Sequence, residues 1–176
     1  MNVLTSLKRG RRRGAVMGLG ILLSVVGCDE PVDLTLPSDD EVVAHYEYAG
    51  GLSAEVVGNV ANVFVAQDAR QLRRGGTLWA KMGPYIFLFS EENRSLFEAY
   101  PGLAGVRVVT RVGNAEVANA LLPRDGLTDV QWRRALNIAG RARRDGTETL
   151  GLLEDLVHWG EDHTEFEYNP RYTRRR

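Results

Sequence analysis

The sequence contains very little cysteine and histidine, and this scarcity limits the chemistry that it can support. A single cysteine, Cys28, stands among 176 residues, so the chain cannot close an internal disulfide. Its histidines are His45, His158 and His163. A Gly-x-Ser-x-Gly stretch and a phosphate-binding glycine loop are both missing. Nothing in the sequence indicates nucleophilic catalysis, and we predict no catalytic residue.

Acidic and basic residues are distributed unevenly along the chain. The formal net charge is −1, from 22 basic and 23 acidic residues. Five of the basic residues and none of the acidic ones lie within residues 1–27, so residues 28–176 keep 17 basic and 23 acidic residues, a formal charge of −6. Nucleic-acid binding requires clustered cations for phosphate contacts. The acidic remainder therefore predicts no nucleic-acid partner.

The N-terminal segment has three parts in the order that export signals use. A basic stretch ends at Arg13, an apolar run follows over residues 15–26, and the small Gly27 precedes Cys28. This order is typical of a secretory signal. The apolar run is about a dozen residues long, which is too short for a helix that must cross roughly 30 Å of hydrocarbon.

The residues Val25-Val26-Gly27-Cys28 resemble the end of bacterial lipoprotein signal peptides. The family pattern is an aliphatic residue, a small or aliphatic residue, Gly or Ala, and then Cys; Val26 is a less common choice at its position. The resemblance implies cleavage between Gly27 and Cys28 and a diacylglyceryl group on the Cys28 sulfur. Two or more acyl chains anchor a protein stably where one does not. The alternatives are an ordinary cysteine behind a normally cleaved signal and an uncleaved anchor.

The location of the protein follows from the same resemblance. It implies a lipid-anchored protein of the bacterial cell envelope that faces outside the cytoplasm, with the membrane as a partner through its anchor. The lipid on Cys28 is the only covalent group expected, and we predict no other cofactor. Asp29 is similar to an inner-membrane retention signal of enteric bacteria, a rule that other lineages do not follow. The choice between inner and outer membrane therefore stays open.

Composition divides the chain into four predicted segments. These are a signal peptide over residues 1–27, a lipidated cysteine with an acidic tether over 28–41, a single α+β domain over 42–160 and a polar, frayed tail over 161–176. Prolines and acidic residues between residues 29 and 41 are the reason for the tether.

Alternation of apolar residues predicts the strands of the domain. Four stretches have a strand pattern: residues 42–48, 77–82, 85–89 and 106–112. Residues 52–74 are ambiguous. Gly58-Asn59 suits a hairpin turn, whereas the apolar spacing favours a helix over residues 60–74.

Capping signals and helical spacing predict the helices. Ser90 begins one helix, which Pro101-Gly102 ends, and residues 115–122 form a short one. Thr128 and Gln131 form a capping box that begins a helix ending at Gly146, and a further helix covers residues 148–159. We therefore predict an α+β fold with a small antiparallel or mixed sheet, followed by a C-terminal helical pair.

His158 and Asp162 are the weak candidate for a metal site. If their helix continues past Gly160, the two side chains are four residues apart and share a face, whereas His163 points elsewhere. A catalytic zinc site needs a third protein ligand, and His45 is the only other histidine. The alternative is a solvated helix end, so we predict no metal site.

Three further groups of side chains each have a functional and a structural interpretation. An aromatic group can line a ligand pocket or belong to the core: Trp79, Tyr85, Phe87, Phe89 and Phe97. A basic group can contact anionic headgroups or form an exposed face paired with Glu148 or other acids: Arg133, Arg134, Arg141 and Arg144. A C-terminal group can contact a peptide or strap the tail to the domain: Tyr168, Arg171 and Tyr172.

These observations favour binding over catalysis. We expect a lipid-anchored envelope domain that binds an envelope protein or a small ligand. The alternative is a small envelope hydrolase or metal-dependent enzyme that uses His158, Asp162 and His45. A purely structural role in the envelope is the third interpretation.

Overall fold

A computed structural model describes residues 33–46, 48 and 51–173, apart from the side chains of residues 74 and 75. The predicted signal peptide, Gly27 and Cys28 lie outside these residues. The elements follow each other as α1 (Asp39–His45), β1 (Leu52–Val57), β2 (Val60–Ala66), α2 (Ala69–Leu88), α3 (Glu91–Ala99), β3 (Gly105–Val112), β4 (Ala115–Pro123), α4 (Asp129–Asp145), α5 (Leu150–His163), β5 (Glu165–Tyr168) and α6 (Pro170–Thr173). The predicted α+β class is confirmed.

The five strands form one mixed sheet whose spatial order, β1-β2-β3-β4-β5, is the order along the chain. Neighbouring strands are antiparallel, except that β2 and β3 are parallel. A parallel pair requires a long crossover, and α2 with α3 supplies it. The sheet and the α4–α5 pair that follows β4 agree with the predicted architecture.

The core lies between one face of the sheet and the helices. Val63 of β2 pairs with Val108 of β3, and both side chains are fully buried. Helix α2 contacts β3 and β4 and contributes the fully buried side chains of Tyr85 and Leu88. Burial of a large apolar side chain stabilises the fold by about 1.5–3 kcal/mol, so α2 is the main helical support of the sheet.

Residues 39–45 form helix α1, so the predicted strand over 42–48 is wrong. The Ser38 hydroxyl accepts a hydrogen bond from the Glu41 N–H (3.3 Å), and the Glu41 carboxylate accepts one from the Ser38 N–H (2.8 Å). This capping box begins the helix. The Asp39 carboxylate accepts a hydrogen bond from the Val56 N–H of β1 (2.8 Å). The last residues of the predicted acidic tether therefore belong to the fold.

Residues 52–66 form the hairpin, so the helix predicted over 60–74 is wrong before Ala69. Gly58 has a φ of 61° in the turn between β1 and β2, a conformation that glycine adopts without strain. Strand β2 lies between two other strands, and its pairing with β3 is a long-range contact that the local pattern does not contain. The helical part of the prediction holds for α2, which begins at Ala69.

Residues 69–88 form α2, so the strands predicted over 77–82 and 85–89 are wrong. The helix is interrupted at Gly76, which has φ 67° and ψ −157°, and continues through Gly83 and Pro84. The run over residues 85–89 is continuous because α2 carries apolar side chains on two faces. One face packs in the core, and the other lines a groove described below.

Residues 115–123 form strand β4, so the short helix predicted over 115–122 is wrong. Gly113, with φ 58°, turns the chain so that β4 pairs antiparallel with β3. The helix starts predicted at Ser90 and Thr128 are confirmed, because each side chain accepts a hydrogen bond from the backbone N–H three residues later. Helix α5 starts at Leu150 and runs to His163, beyond the predicted end.

Residues 161–173 are part of the fold, so the prediction of a frayed tail is wrong for them. Strand β5 pairs with β4, with Tyr168 opposite Ala118. The Asn169 side-chain amide donates a hydrogen bond to the Glu116 carbonyl oxygen (2.7 Å). Residues 174–176 lie outside the described residues.

Candidate functional site

A groove opens between α2, the end of β2 and the segment that follows α1. We call it the aromatic groove. Its volume is about 570 Å³, within the range of roughly 300–1,000 Å³ that ligand pockets occupy. Its walls are formed by Tyr48, Val65, Ala66, Gln67, Asp68, Gln71, Trp79, Met82, Gly83, Ile86 and Phe87.

A smaller hollow of about 310 Å³ adjoins the aromatic groove. The two spaces share Tyr48, Ile86 and Phe87 as lining residues. Glu92 and Arg143 also line the hollow, and the Arg143 guanidinium donates a hydrogen bond to the Ile86 carbonyl oxygen. The apolar surface of the groove therefore ends beside one acidic and one basic side chain.

Buried hydrogen bonds fix the wall between groove and hollow. The Phe87 ring lies 5.2 Å from the Tyr48 ring and 6.5 Å from the Tyr46 ring, measured between centroids. The Tyr46 hydroxyl donates to the Asn93 Oδ1 (3.1 Å), and the Asn93 side-chain nitrogen donates to the Leu88 carbonyl oxygen (2.8 Å). Asn93 is fully buried. Satisfied buried networks of this kind hold one arrangement of their side chains.

Gln67 supplies the polar end of the aromatic groove. Its Oε1 atom is buried and has no hydrogen-bond partner among the described residues, whereas its backbone N–H donates to the Arg111 carbonyl oxygen (2.7 Å). The neighbouring Asp68 carboxylate accepts from the Arg70 N–H (2.6 Å) and caps α2. Gln67 therefore has a spare acceptor, and Asp68 is occupied by the helix.

The five aromatic residues that the sequence analysis grouped together lie in two different places. Trp79 and Phe87 line the aromatic groove. The buried core contains Tyr85, Phe89 and Phe97. The core interpretation is confirmed for Tyr85, Phe89 and Phe97, whereas Trp79 and Phe87 pack against the edge of the core and also line the groove.

His158 and Asp162 share a face of α5, as predicted for a helix that continues past Gly160. They line a second groove, of about 420 Å³, which we call the inter-helix groove. Its lining residues are Arg134, Asn137, Ile138 and Arg141 of α4 and Asp155, His158, Trp159 and Asp162 of α5. Within residues 33–46, 48 and 51–173, no three His, Cys, Asp or Glu side chains are grouped to hold a metal ion. The metal-dependent alternative thus lacks a third ligand there.

The other two histidines are engaged elsewhere. His163 stacks on Trp159, with 3.9 Å between ring centroids, and its Nδ1 lies 2.9 Å from the Trp159 carbonyl oxygen. Its Nε2 lies 3.3 Å from the Gln131 side-chain nitrogen. His45 packs edge-on against Tyr100 at 5.8 Å. Neither residue lines the inter-helix groove.

The arginines of α4 have separate roles. The Arg134 guanidinium lies 4.6 Å from the centroid of the Trp159 ring, and Arg141 lines the inter-helix groove. Arg133 and Arg144 are exposed. The ion pairs of the described residues are Lys81–Glu161 and Arg94–Glu98, so the predicted pairing of the α4 arginines with Glu148 is not formed.

Sequence reasoning missed a polar cluster between α2, α5 and β5. The Lys81 ammonium lies 3.0 Å from the Glu161 carboxylate and 4.7 Å from the centroid of the Tyr168 ring. The hydroxyls of Tyr168 and Tyr85 are 2.6 Å apart. Lys81 is the only lysine after Cys28. This was the one feature of the sequence that could have drawn attention to the cluster.

Both tyrosines of this cluster keep their protons at neutral pH. Burial raises the pKa of Tyr85 to about 12. Burial, and then the hydrogen bond with Tyr85, raise the pKa of Tyr168. The Tyr85–Tyr168 hydrogen bond and the Lys81 contacts with Tyr168 and Glu161 join β5 to α2 and α5. This confirms the interpretation of Tyr168 as part of a strap.

The residues at which the sequence predicts lipid attachment lie outside the described ones. Cys28 and Gly27 are among residues 1–32. Within the described part of the chain, no helix combines the length and the apolar character needed to cross a bilayer.

The fold and its grooves define an α+β domain with a helical layer on a mixed sheet and open clefts in that layer. No protein-family model matches the chain, and no curated protein or solved structure is significantly similar to it. Functional inference therefore rests on the side chains themselves.

Proposed function

We propose that the chain is a lipid-anchored binding domain of the bacterial cell envelope. In this proposal Cys28 carries the anchor, and the aromatic groove binds a small amphipathic ligand. The apolar part of the ligand lies against Trp79 and Phe87, and its polar part reaches Gln67.

The sequence around Cys28 supports the anchor. Val25-Val26-Gly27-Cys28 resembles the end of lipoprotein signals, and the basic and apolar segments before it stand in the expected order. Cys28 is also the only cysteine in the chain. A free thiol in an exported protein calls for a role, and lipid attachment supplies one.

The observation that carries the binding proposal is the second apolar face of α2. A surface helix usually buries one apolar stripe and exposes a polar face. In α2, Tyr85 and Leu88 are buried in the core, while Trp79, Ile86 and Phe87 remain partly exposed along the groove. Covering a large apolar side chain is worth about 1.5–3 kcal/mol, so a ligand that covers these three gains affinity from them.

The size and polarity of the aromatic groove favour a small ligand. Its volume of about 570 Å³ is that of a ligand pocket. Such pockets combine apolar walls with a few polar groups that orient the ligand. Gln67 is a polar group of this kind, because it lines the aromatic groove and its Oε1 has no partner among the described residues.

A fluorescent amphipathic probe tests the groove. We expect 8-anilinonaphthalene-1-sulfonate to bind the full-length chain saturably at one site, with a rise in probe fluorescence. Phe87→Ser should weaken binding about tenfold, which corresponds to the loss of one large apolar contact. Val130→Ser is the matched control, because Val130 is 67% exposed on α4, away from the groove.

The same titration can overturn the binding proposal. If Phe87→Ser and Val130→Ser bind the probe as tightly as the unmodified chain, the aromatic groove is not the site. Circular dichroism spectra of both variants establish that the helices are retained, so a loss of folding is distinguished from a loss of binding.

Intact mass tests the anchor independently of the groove. In a bacterial host, the chain should be shortened to begin at Cys28 and should be heavier than that polypeptide by its acyl groups. Cys28→Ser should abolish the added mass and release the protein from the membrane fraction. An unmodified, full-length chain in the cytosol would overturn the anchor.

A further inference from the structure

The inter-helix groove contains a buried donor without a partner. Trp159 lines the groove and is 8% exposed. Its indole Nε1 is buried and has no hydrogen-bond partner among the described residues. Buried donors are almost always satisfied by protein or water, so the wall of the inter-helix groove contains a polar position that the described residues leave unpaired.

The walls of the inter-helix groove carry opposite charges. Arg134 and Arg141 lie on α4, and Asp155 and Asp162 lie on α5. None of these four side chains forms an ion pair within 4 Å or a side-chain hydrogen bond with any described residue. Arg134 instead rests over the Trp159 ring, at 4.6 Å. The groove therefore presents free cations on one side and free anions on the other.

Charge complementarity selects the class of ligand. A purely anionic ligand is repelled by the two aspartates, and a purely cationic ligand is repelled by the two arginines. An apolar ligand would remove all four charges from water without pairing them, which is costly. A molecule with one anionic group and one ammonium group pairs with both walls.

We propose that the inter-helix groove binds a small zwitterion, an anionic group and an ammonium group joined by a short chain. Arg134 and Arg141 receive the anionic group beside the Trp159 ring, over which the Arg134 guanidinium lies. Asp155 and Asp162 receive the ammonium group. This site is separate from the aromatic groove and does not depend on the function proposed for it.

The indole N–H signals of the full-length chain provide a direct readout. The chain has three tryptophans, so an ¹⁵N–¹H spectrum separates three indole signals, and Trp159→Phe identifies that of Trp159. The Trp159 signal should shift saturably on addition of 4-aminobutyrate, 6-aminohexanoate or O-phosphoethanolamine. The Trp132 signal should stay in place, because Trp132 packs against Phe97 in the core.

Single-charge analogues and matched variants sharpen the test. Butyrate, butylamine and sodium chloride at the same concentrations should shift the Trp159 signal much less. Arg134→Gln and Asp162→Asn should each weaken binding about tenfold, the loss of one charge-assisted contact. Arg133→Gln and Glu154→Gln are controls, because both side chains are exposed and lie outside the inter-helix groove.

Two results would overturn the proposal. The first is a Trp159 shift that follows ionic strength rather than the zwitterion. The second is equal affinity of Arg134→Gln and Arg133→Gln. Co-sedimentation with phosphatidylethanolamine vesicles, lost in Arg134→Gln but not in Arg133→Gln, would support the same chemistry with a lipid headgroup as its source.

Discussion

The aromatic groove and the inter-helix groove are formed by different kinds of side chain. The aromatic groove is lined by half-exposed rings, and a buried Tyr46–Asn93 hydrogen bond fixes one of its walls. The inter-helix groove is lined by charged side chains that make no ion pair among the described residues. The first is shaped by packing and presents apolar surface. The second is shaped by two helix faces and presents charge.

The comparison shows which kind of site remains tied to the stability of the domain. Side chains of the aromatic groove continue directly into the core through α2, so changes beside it act on folding as well as on binding. The charged side chains of the inter-helix groove project from α4 and α5 toward solvent. Their substitution should therefore change binding with little effect on stability.

The largest expected effect comes from Gly160, which lies where α5 crosses α2. A Cβ atom at this position would overlap the fully buried Tyr85 ring. Gly160→Leu should lower the free energy of unfolding by about 3 kcal/mol, because an overpacked core cannot relax. It should also displace α5, and with it the inter-helix groove. Urea unfolding monitored by circular dichroism measures the loss.

Gly151→Leu is the control for this prediction, because a Cβ at Gly151 meets open space on the same helix. It should be neutral or stabilising, since leucine is a better helix former than glycine. Equal stability of the two variants would show that α5 does not pack on α2 as described. Under conditions in which Gly160→Leu is folded, its aromatic groove should still bind 8-anilinonaphthalene-1-sulfonate.

A second effect, of about 2 kcal/mol, is expected on the aromatic side. Asn93→Ala leaves the buried Tyr46 hydroxyl and the Leu88 carbonyl oxygen without their side-chain partner, and an unsatisfied buried group costs about 1–3 kcal/mol. The variant should lose affinity for the fluorescent probe and keep the Trp159 response to zwitterions. If Asn93→Ala instead kept its affinity for the probe and lost the Trp159 response, the Asn93 hydrogen bonds would support the inter-helix groove rather than the aromatic groove.

Arg94→Ala is the matched control for Asn93→Ala. Arg94 follows directly in α3 and forms an exposed ion pair with Glu98 at 3.1 Å. Exposed pairs of this kind contribute about 0–1 kcal/mol. A loss as large as that of Asn93→Ala would contradict the assignment of the effect to the buried network.

Local chemistry in the sequence was sufficient for part of the fold. The capping signals at Ser90 and Thr128 predicted two helix starts correctly, because a cap depends on residues only three positions apart. The class of the fold followed from the sum of such signals. Strand β4 was mistaken for a helix because its apolar pattern has no clear period, and its pairing with β3 is decided by the Gly113 turn.

The two apolar faces of α2 explain why residues 85–89 were predicted to form a strand and why the aromatic groove was not predicted. A continuous apolar run such as residues 85–89 is typical of a buried strand. It is equally produced by a helix with one face in the core and another on a ligand groove, and only the tertiary structure separates the two. The inter-helix groove was partly visible, since His158 and Asp162 were expected to share a face. Their neighbours on α4 required the packing of two helices.

A smaller effect is expected from the tyrosine pair at the C-terminal strap. Burial raises the pKa of Tyr85 to about 12, above the value of about 10 in an unfolded chain. The folded state thus keeps a proton that the unfolded state releases, so this stabilisation is complete below pH 10 and is lost as the pH rises toward 12. The stability advantage of the unmodified chain over Tyr85→Phe should shrink between pH 10 and pH 12 in urea unfolding. An advantage independent of pH would contradict the shifted pKa.

The smallest effect should come from Lys81, which joins α2 to α5 outside both grooves. Its ion pair with Glu161 is partly exposed, with side-chain exposures of 32% and 25%, and pairs in such positions contribute about 0–1 kcal/mol. Lys81→Met retains the aliphatic stem over the Tyr168 ring and removes only the charge, so the free energy of unfolding should change by less than about 1 kcal/mol. Binding at both grooves should be unchanged. If Lys81→Met instead abolished the Trp159 response to zwitterions, the charge that recognises the anionic group would lie on the α2 side of α5, and the assignment to Arg134 and Arg141 would fail.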